Sequence, residues 1–105
     1  MNDVILPNKR DLRKIKKRIG HVAFIQVLND IRKHLEQGDV TEPKGTRIKD
    51  LQNQYLSPQY RLRSGDYRIF YNVEHKMILS NRVFVIDIIH KKDWVFWLKT
   101  YGETK

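Results

Sequence analysis

Arg61, Arg63 and Arg68 fall within QYRLRSGDYRIFYNV (residues 59–73), and His90, Lys91 and Lys92 close a second stretch, VFVIDIIHKK (residues 83–92). These side chains suit phosphate chemistry. Guanidinium forks bind phosphate oxygens in pairs, and lysines act as point charges. RNA offers a second use, because its 2′-hydroxyl can attack the adjacent phosphate. Preorganised arginines stabilise the negative charge that then builds up, and a group titrating near neutrality, such as His90, can protonate the leaving oxygen. Neither role requires a metal.

Little else in the chain competes. It has no P-loop, dinucleotide fingerprint, HExxH or nucleophile elbow. The carboxylates are scattered, so a glycosidase-like acid pair has no support. His21, His34, His75 and His90 are too far apart for a local metal motif. The absence of cysteine excludes disulfides, thiolate chemistry and zinc knuckles, and fits a reducing cytoplasm. Twenty-one Lys and Arg against twelve Asp and Glu give a net charge of +9, suited to nucleic acid, an anionic membrane surface or an acidic protein partner. No stretch approaches the ~20 apolar residues of a membrane span, and the N-terminus lacks a signal peptide's apolar run. The expectation is a basic cytoplasmic protein, one domain over residues 1–105, with no metal, cofactor or membrane partner.

The elements that must position these residues follow from periodicity. Residues 59–73 alternate across a Ser64-Gly65 turn signal and read as a β-hairpin. A loop of two or four residues sets Leu62 opposite Tyr67 and Arg61 opposite Arg68. Tyr60, Leu62, Tyr67, Ile69, Tyr71 and Val73 then share a buried face, with Arg61, Arg63 and Arg68 on the other. A loop of three would mix the sets, so the apolar pattern selects the register. Like charges directly opposed in a sheet are destabilising, so Arg61 against Arg68 points to an anionic partner.

Val4, Ile5 and Leu6 form a short edge strand ended by Pro7. Leu12, Ile15 and Ile19 mark the first helix, otherwise covered by Lys9, Arg10, Arg13, Lys14, Lys16, Lys17 and Arg18. That basic surface is either a solvated face or a contact for an anionic partner. Gly20 breaks the pattern. A longer helix over residues 21–37 follows, with Phe24, Leu28, Ile31 and Leu35 as its apolar stripe and Gly38 as its stop. Residues 38–48 read as loop, and 49–56 as strand or loop. Residues 74–82 read as a connection. The strand over residues 83–89 is apolar on both faces except at Asp87, hence central and covered on both sides. A buried carboxylate needs a partner, and a hairpin arginine is the expected one. Trp94, Trp97, Leu98 and Tyr101 lie at helical spacing. The fold class is α+β, with two N-terminal helices on one face of a curved, mainly antiparallel sheet and a short C-terminal helix.

These stretches resemble the RelE/ParE superfamily of type II toxin–antitoxin toxins. YRLRSGDYRIFYNV and VFVIDIIHKKD match its hairpin and last core strand. VILPNKRDLRKI resembles its opening strand and first helix, and Ile48-Lys49-Asp50-Leu51 the approach to the hairpin. RelE-type members cleave mRNA in the ribosomal A site without a metal, leaving a cyclic phosphate and a 5′-hydroxyl. ParE-type members share the scaffold but poison DNA gyrase. The resemblance implies a metal-independent endoribonuclease with a cognate antitoxin, mRNA and ribosomal RNA as partners. The alternatives are a gyrase inhibitor and an inactive basic RNA-binding module. By the same resemblance Arg68 is the transition-state stabiliser, and Arg61, His90 and Lys91 complete the catalytic set. Lys49, Arg63, Lys92, Trp97 and Tyr101 would contact RNA, with Trp97 or Tyr101 stacking on a base. Gln59 stands where some relatives have lysine. Arginine is a poor proton acceptor, which leaves the general base unassigned. The competing structural roles are a salt bridge of Arg68 with Asp87 or Asp66, a packing role for His90, and core anchoring for Trp94 and Trp97.

Overall fold

The computed structural model describes residues 1–41, 47–77 and 80–105. Asn8 opens helix α1 (Lys9–Ile19) by accepting a hydrogen bond from the Asp11 amide at 2.9 Å, which satisfies one of the helix's orphan donors. α1 buries Ile15 and ends on Gly20 at φ +91°, a left-handed conformation that favours glycine. Helix α2 (His21–Asp30) runs into a π-helical segment (Ile31–Glu36). The helix expected over residues 21–37 is therefore present, with its last part wound more widely. Val27, Ile31 and Leu35 are buried, and Phe24 and Leu28 pack beside them.

The main sheet has five strands, β1 (Asp3–Ile5), β2 (Ile48–Asp50), β4 (Tyr60–Ser64), β5 (Tyr67–Met77) and β6 (Ser80–His90), in the order β1-β6-β5-β4-β2. β1 joins β6 in parallel and every other pairing is antiparallel. Two short strands, β3 (Tyr55–Ser57) and β7 (Glu103–Thr104), pair separately. Helix α3 (Trp94–Tyr101) lies between β6 and β7. The architecture is the expected α+β arrangement.

Several expectations about register and neighbours are corrected. The hairpin turn is Gly65-Asp66, because Ser64 pairs with Tyr67. Gly65 has φ +56°, as the first central residue of a type II′ turn does. Arg68 consequently faces Arg63, and Arg61 faces Phe70. Both strands of the next hairpin extend to Met77 and from Ser80, through much of the expected connection over 74–82. Residues 78–79 of that connection, and 42–46 of the expected loop, lie outside the described residues. β6 lies between β1 and β5 with apolar residues on both faces, as expected, but among the described residues β1 pairs with it only at Arg82, Val83 and Phe84. Beyond Phe84 it forms the sheet's edge.

Two apolar clusters, one on each face, hold the sheet. The larger packs Ile15, Val27, Ile31 and Leu35 against Leu62, Ile69, Tyr71 and Ile88. The smaller joins Leu51, Phe70 and Ile89 to Trp97 and Leu98 of α3. Burying a side chain of this size is worth about 1.5–3 kcal/mol, so α3 is a structural cover for part of the second face. The rest of that face carries the arginines.

Candidate nucleic-acid interface

Alternation and register place four cations together on the second face. Lys49 of β2 pairs with Arg61 of β4, and Arg63 of β4 pairs with Arg68 of β5. Trp94, in the first turn of α3, borders them. The Arg61 guanidinium lies 5.2 Å and the Lys49 ammonium 5.6 Å from its ring centroid. Such cation–π contacts are worth roughly 0.5–2 kcal/mol, and here they fix two cations beside an aromatic wall.

Burial, then Arg68 and Arg63, push the Arg61 guanidinium below its ordinary value. For Arg68 burial comes first and Arg63 second, with Asp66 opposing them. Both remain cations at neutral pH. The Arg68 side chain donates from Nη1 to the Gly65 and Tyr67 carbonyls, each at 3.0 Å. It is thus anchored to the turn, and not to Asp87 or Asp66. Its Nε–H is buried and finds no acceptor among the described residues. A buried donor without a partner costs about 1–3 kcal/mol.

The other expected site residues make contacts of their own. His90 pairs with Tyr67, whose ring packs on the helix-side cluster, and the two rings meet edge-on with centroids 5.3 Å apart. Strand alternation therefore turns His90 away from the arginines. Its Nδ1 accepts a hydrogen bond from the Lys92 amide at 3.1 Å, an end-of-strand capping role. Lys91 binds Asp66 through its ammonium at 3.3 Å and through its amide, which donates to the Asp66 carbonyl at 2.7 Å. Lys92 is exposed. Trp97 stacks on Phe70 at 4.5 Å and is buried, the anchoring role weighed for it. Tyr101 is exposed beside Trp97, and with His90 it lines a separate cavity against Arg18.

Asp87 is also corrected. It accepts from the Trp97 indole at 3.0 Å and from Arg18 Nη2 at 3.1 Å, while Arg18 donates to the Ile88 carbonyl at 2.7 Å. Its partner comes from α1, reaching over the open edge of β6, and not from the hairpin. Trp94, expected as a core anchor rather than a base-stacking platform, packs part-buried against the smaller cluster and also borders the cations. Its place one helical turn before Trp97 and Leu98 identified the α3 face, but not the cations it would meet.

The arrangement binds and polarises anions. Lys49, Arg61, Arg63 and Arg68 can hold successive phosphates and stabilise charge on one of them, but none is a proton acceptor at neutral pH. Among the described residues no cluster of His, Cys, Asp or Glu could hold a metal ion, and no helix is long and apolar enough to cross a membrane. Residues 7–94 match the family model of the ParE toxin of type II toxin–antitoxin systems (parDE). No curated protein matches the chain.

Proposed function

We propose that this chain, which belongs to the ParE toxin family of type II toxin–antitoxin systems, acts on RNA by holding the strand on its Lys49, Arg61, Arg63 and Arg68 face and promoting its cleavage. Family membership makes it the toxin of a pair with a cognate antitoxin. The observation that carries the RNA reading is the opposition of Arg63 to Arg68 on a face where Arg61 and Arg68 are also part-buried. A sheet bears that repulsion at a cost to stability, and a polyanion removes it. In the step proposed, the 2′-oxygen forms a bond to the adjacent phosphorus and the bond to the 5′-oxygen breaks. The products are a cyclic phosphate and a 5′-hydroxyl, with the 2′-hydroxyl proton leaving and a proton reaching the 5′-oxygen. Arg68 stabilises the charge on the phosphoryl oxygens. Lys49, Arg61 and Arg63 position the flanking phosphates.

General acid–base help typically contributes 10²–10⁴-fold, and the four cations supply no proton acceptor. The proposed target is therefore message on the ribosome, whose own groups and waters surround the scissile phosphate. Free RNA should be bound but cut far more slowly. A second reading has its own support: His90 faces away from the arginines, and the matching family model is that of the ParE toxin. A gyrase-directed toxin needs a basic docking face and no proton transfer.

Expression of the wild type beside Arg68→Ala, followed by primer extension on cellular mRNA, separates the two. Codon-phased breaks that fall at least 100-fold in the variant, about 2.7 kcal/mol of transition-state stabilisation, support cleavage. Intact message with accumulated gyrase–DNA complexes refutes it.

A further inference from the structure

A cavity of about 340 Å³ opens between the β2–β3 connection and the first turns of α3, and Lys49, Asp50, Asn53, Gln54, Trp94 and Leu98 are among the residues lining it. We propose that it is a nucleobase pocket, taking one unstacked base that carries an exocyclic amino group from the strand whose phosphates lie on the adjoining cations. The inference rests on the RNA reading above and deepens it.

Position comes first. Lys49 and Trp94 belong both to the cavity and to the cation face, so a strand lying on Arg61 and Lys49 delivers its next base to this opening. Trp94 and Leu98 supply an apolar wall, while Asn53 and Gln54 supply exposed amides that form no side-chain hydrogen bond among the described residues. Apolar walls with a few convergent polar groups are the usual form of a small-ligand site, and the volume sits at the lower end of such sites. Single-stranded RNA is read in this way, by bases splayed from the stack onto aromatic side chains and hydrogen-bonded at their edges.

Asp50 decides between a base and a further phosphate. Its Oδ1 accepts from the Gln52 amide at 2.8 Å and from Gln52 Nε2 at 3.2 Å, which fixes the carboxylate. A fixed negative charge repels phosphate but accepts hydrogen bonds from amino groups, as acidic side chains do from cytosine N4. Adenine, cytosine and guanine carry such a group and uracil does not.

The test is side-chain NMR on the full chain. The Asn53 and Gln54 amide and Trp94 indole resonances are followed while AMP, CMP, GMP and UMP are added, and then short single-stranded RNAs of single-base composition. The proposal expects shifts at these three residues with AMP, CMP and GMP and markedly weaker ones with UMP. Trp94→Ala should weaken RNA binding about tenfold, within the range for loss of one base–aromatic stack, and Trp94→Phe should restore most of it. Asp50→Ala should flatten the preference among bases, and Asn53→Ala with Gln54→Ala should weaken mononucleotide binding and leave the salt dependence unchanged. Shifts equal for all four mononucleotides, or absent from these residues while RNA still moves the Arg63 and Arg68 resonances, overturn the pocket and leave the RNA reading standing. RNA that moves neither set overturns the RNA reading itself.

Discussion

Replacing Arg63 by glutamine should stabilise the fold while weakening the interface, and salt should separate the two effects. Arg63 is exposed, stands directly opposite Arg68, and has no ion pair among the described residues. Opposed like charges on a sheet cost about 0.2–1 kcal/mol. Solvent screening at an exposed site favours the lower half of that range, so the variant should gain about 0.5 kcal/mol. For a domain near this size, 1 kcal/mol moves Tm by roughly 4–8 °C, so Tm should rise by about 2–4 °C. The gain should be largest at about 0.01 M salt and vanish near 1 M, where the Debye length shrinks from about 30 to 3 Å. Loss of one phosphate contact should also lower the slope of log affinity against log salt by about 0.7 for single-stranded RNA. Thermal melts at both salts and anisotropy titrations measure these quantities. A lower Tm, or a gain unaffected by salt, would refute the claim that this face is held under repulsion for the sake of an anion.

Two further predictions concern groups that hold the scaffold. Tyr71 is fully buried, its hydroxyl donates to the Val40 carbonyl at 3.0 Å, and burial raises its phenol above the ordinary value. Tyr71→Phe should cost about 1–3 kcal/mol in denaturant unfolding through the orphaned carbonyl. Because the folded state favours the neutral phenol, its contribution is full below about pH 10 and declines as pH rises further. The variant should therefore lose less stability than the wild type between about pH 10 and 12. Burial, followed by the Arg47 charge, lowers the pKa of His34. Its stabilising contribution is then full above about pH 6.5 and lost as pH falls through the lower folded-state value. His34→Gln should flatten Tm against pH across that acidic window, and an unchanged slope would contradict the assignment.

Period two made the faces legible, because an even shift of register leaves face membership intact. Arg61, Arg63 and Arg68 share the predicted face, and Tyr60, Leu62, Ile69 and Tyr71 share the buried one, although the turn sits one residue later than Ser64-Gly65 suggested. Partners do not survive such a shift, which is why Arg63 and not Arg61 meets Arg68. The Asp87–Arg18 pair was out of reach for another reason. It spans 69 residues in sequence and depends on where β1 stops covering β6, a length that no local pattern encodes. The π-helical winding after Asp30 likewise preserves the apolar stripe that announces a helix and hides the change in pitch.

The same parity bears on His90. Once Ile89 is set opposite Arg68, the next residue must point to the other face. A bulge between Phe70 and Tyr71 shifts the β5–β6 register, so no count from the hairpin alone fixes that assignment. The consequence is chemical. The four cations of this face can lower the energy of a developing dianion but cannot themselves accept a proton at neutral pH. Its activity then depends on what its target brings. On the proposed cleavage reading, free RNA should be cut far more slowly than message on the ribosome, whereas a face used only for docking should cut neither.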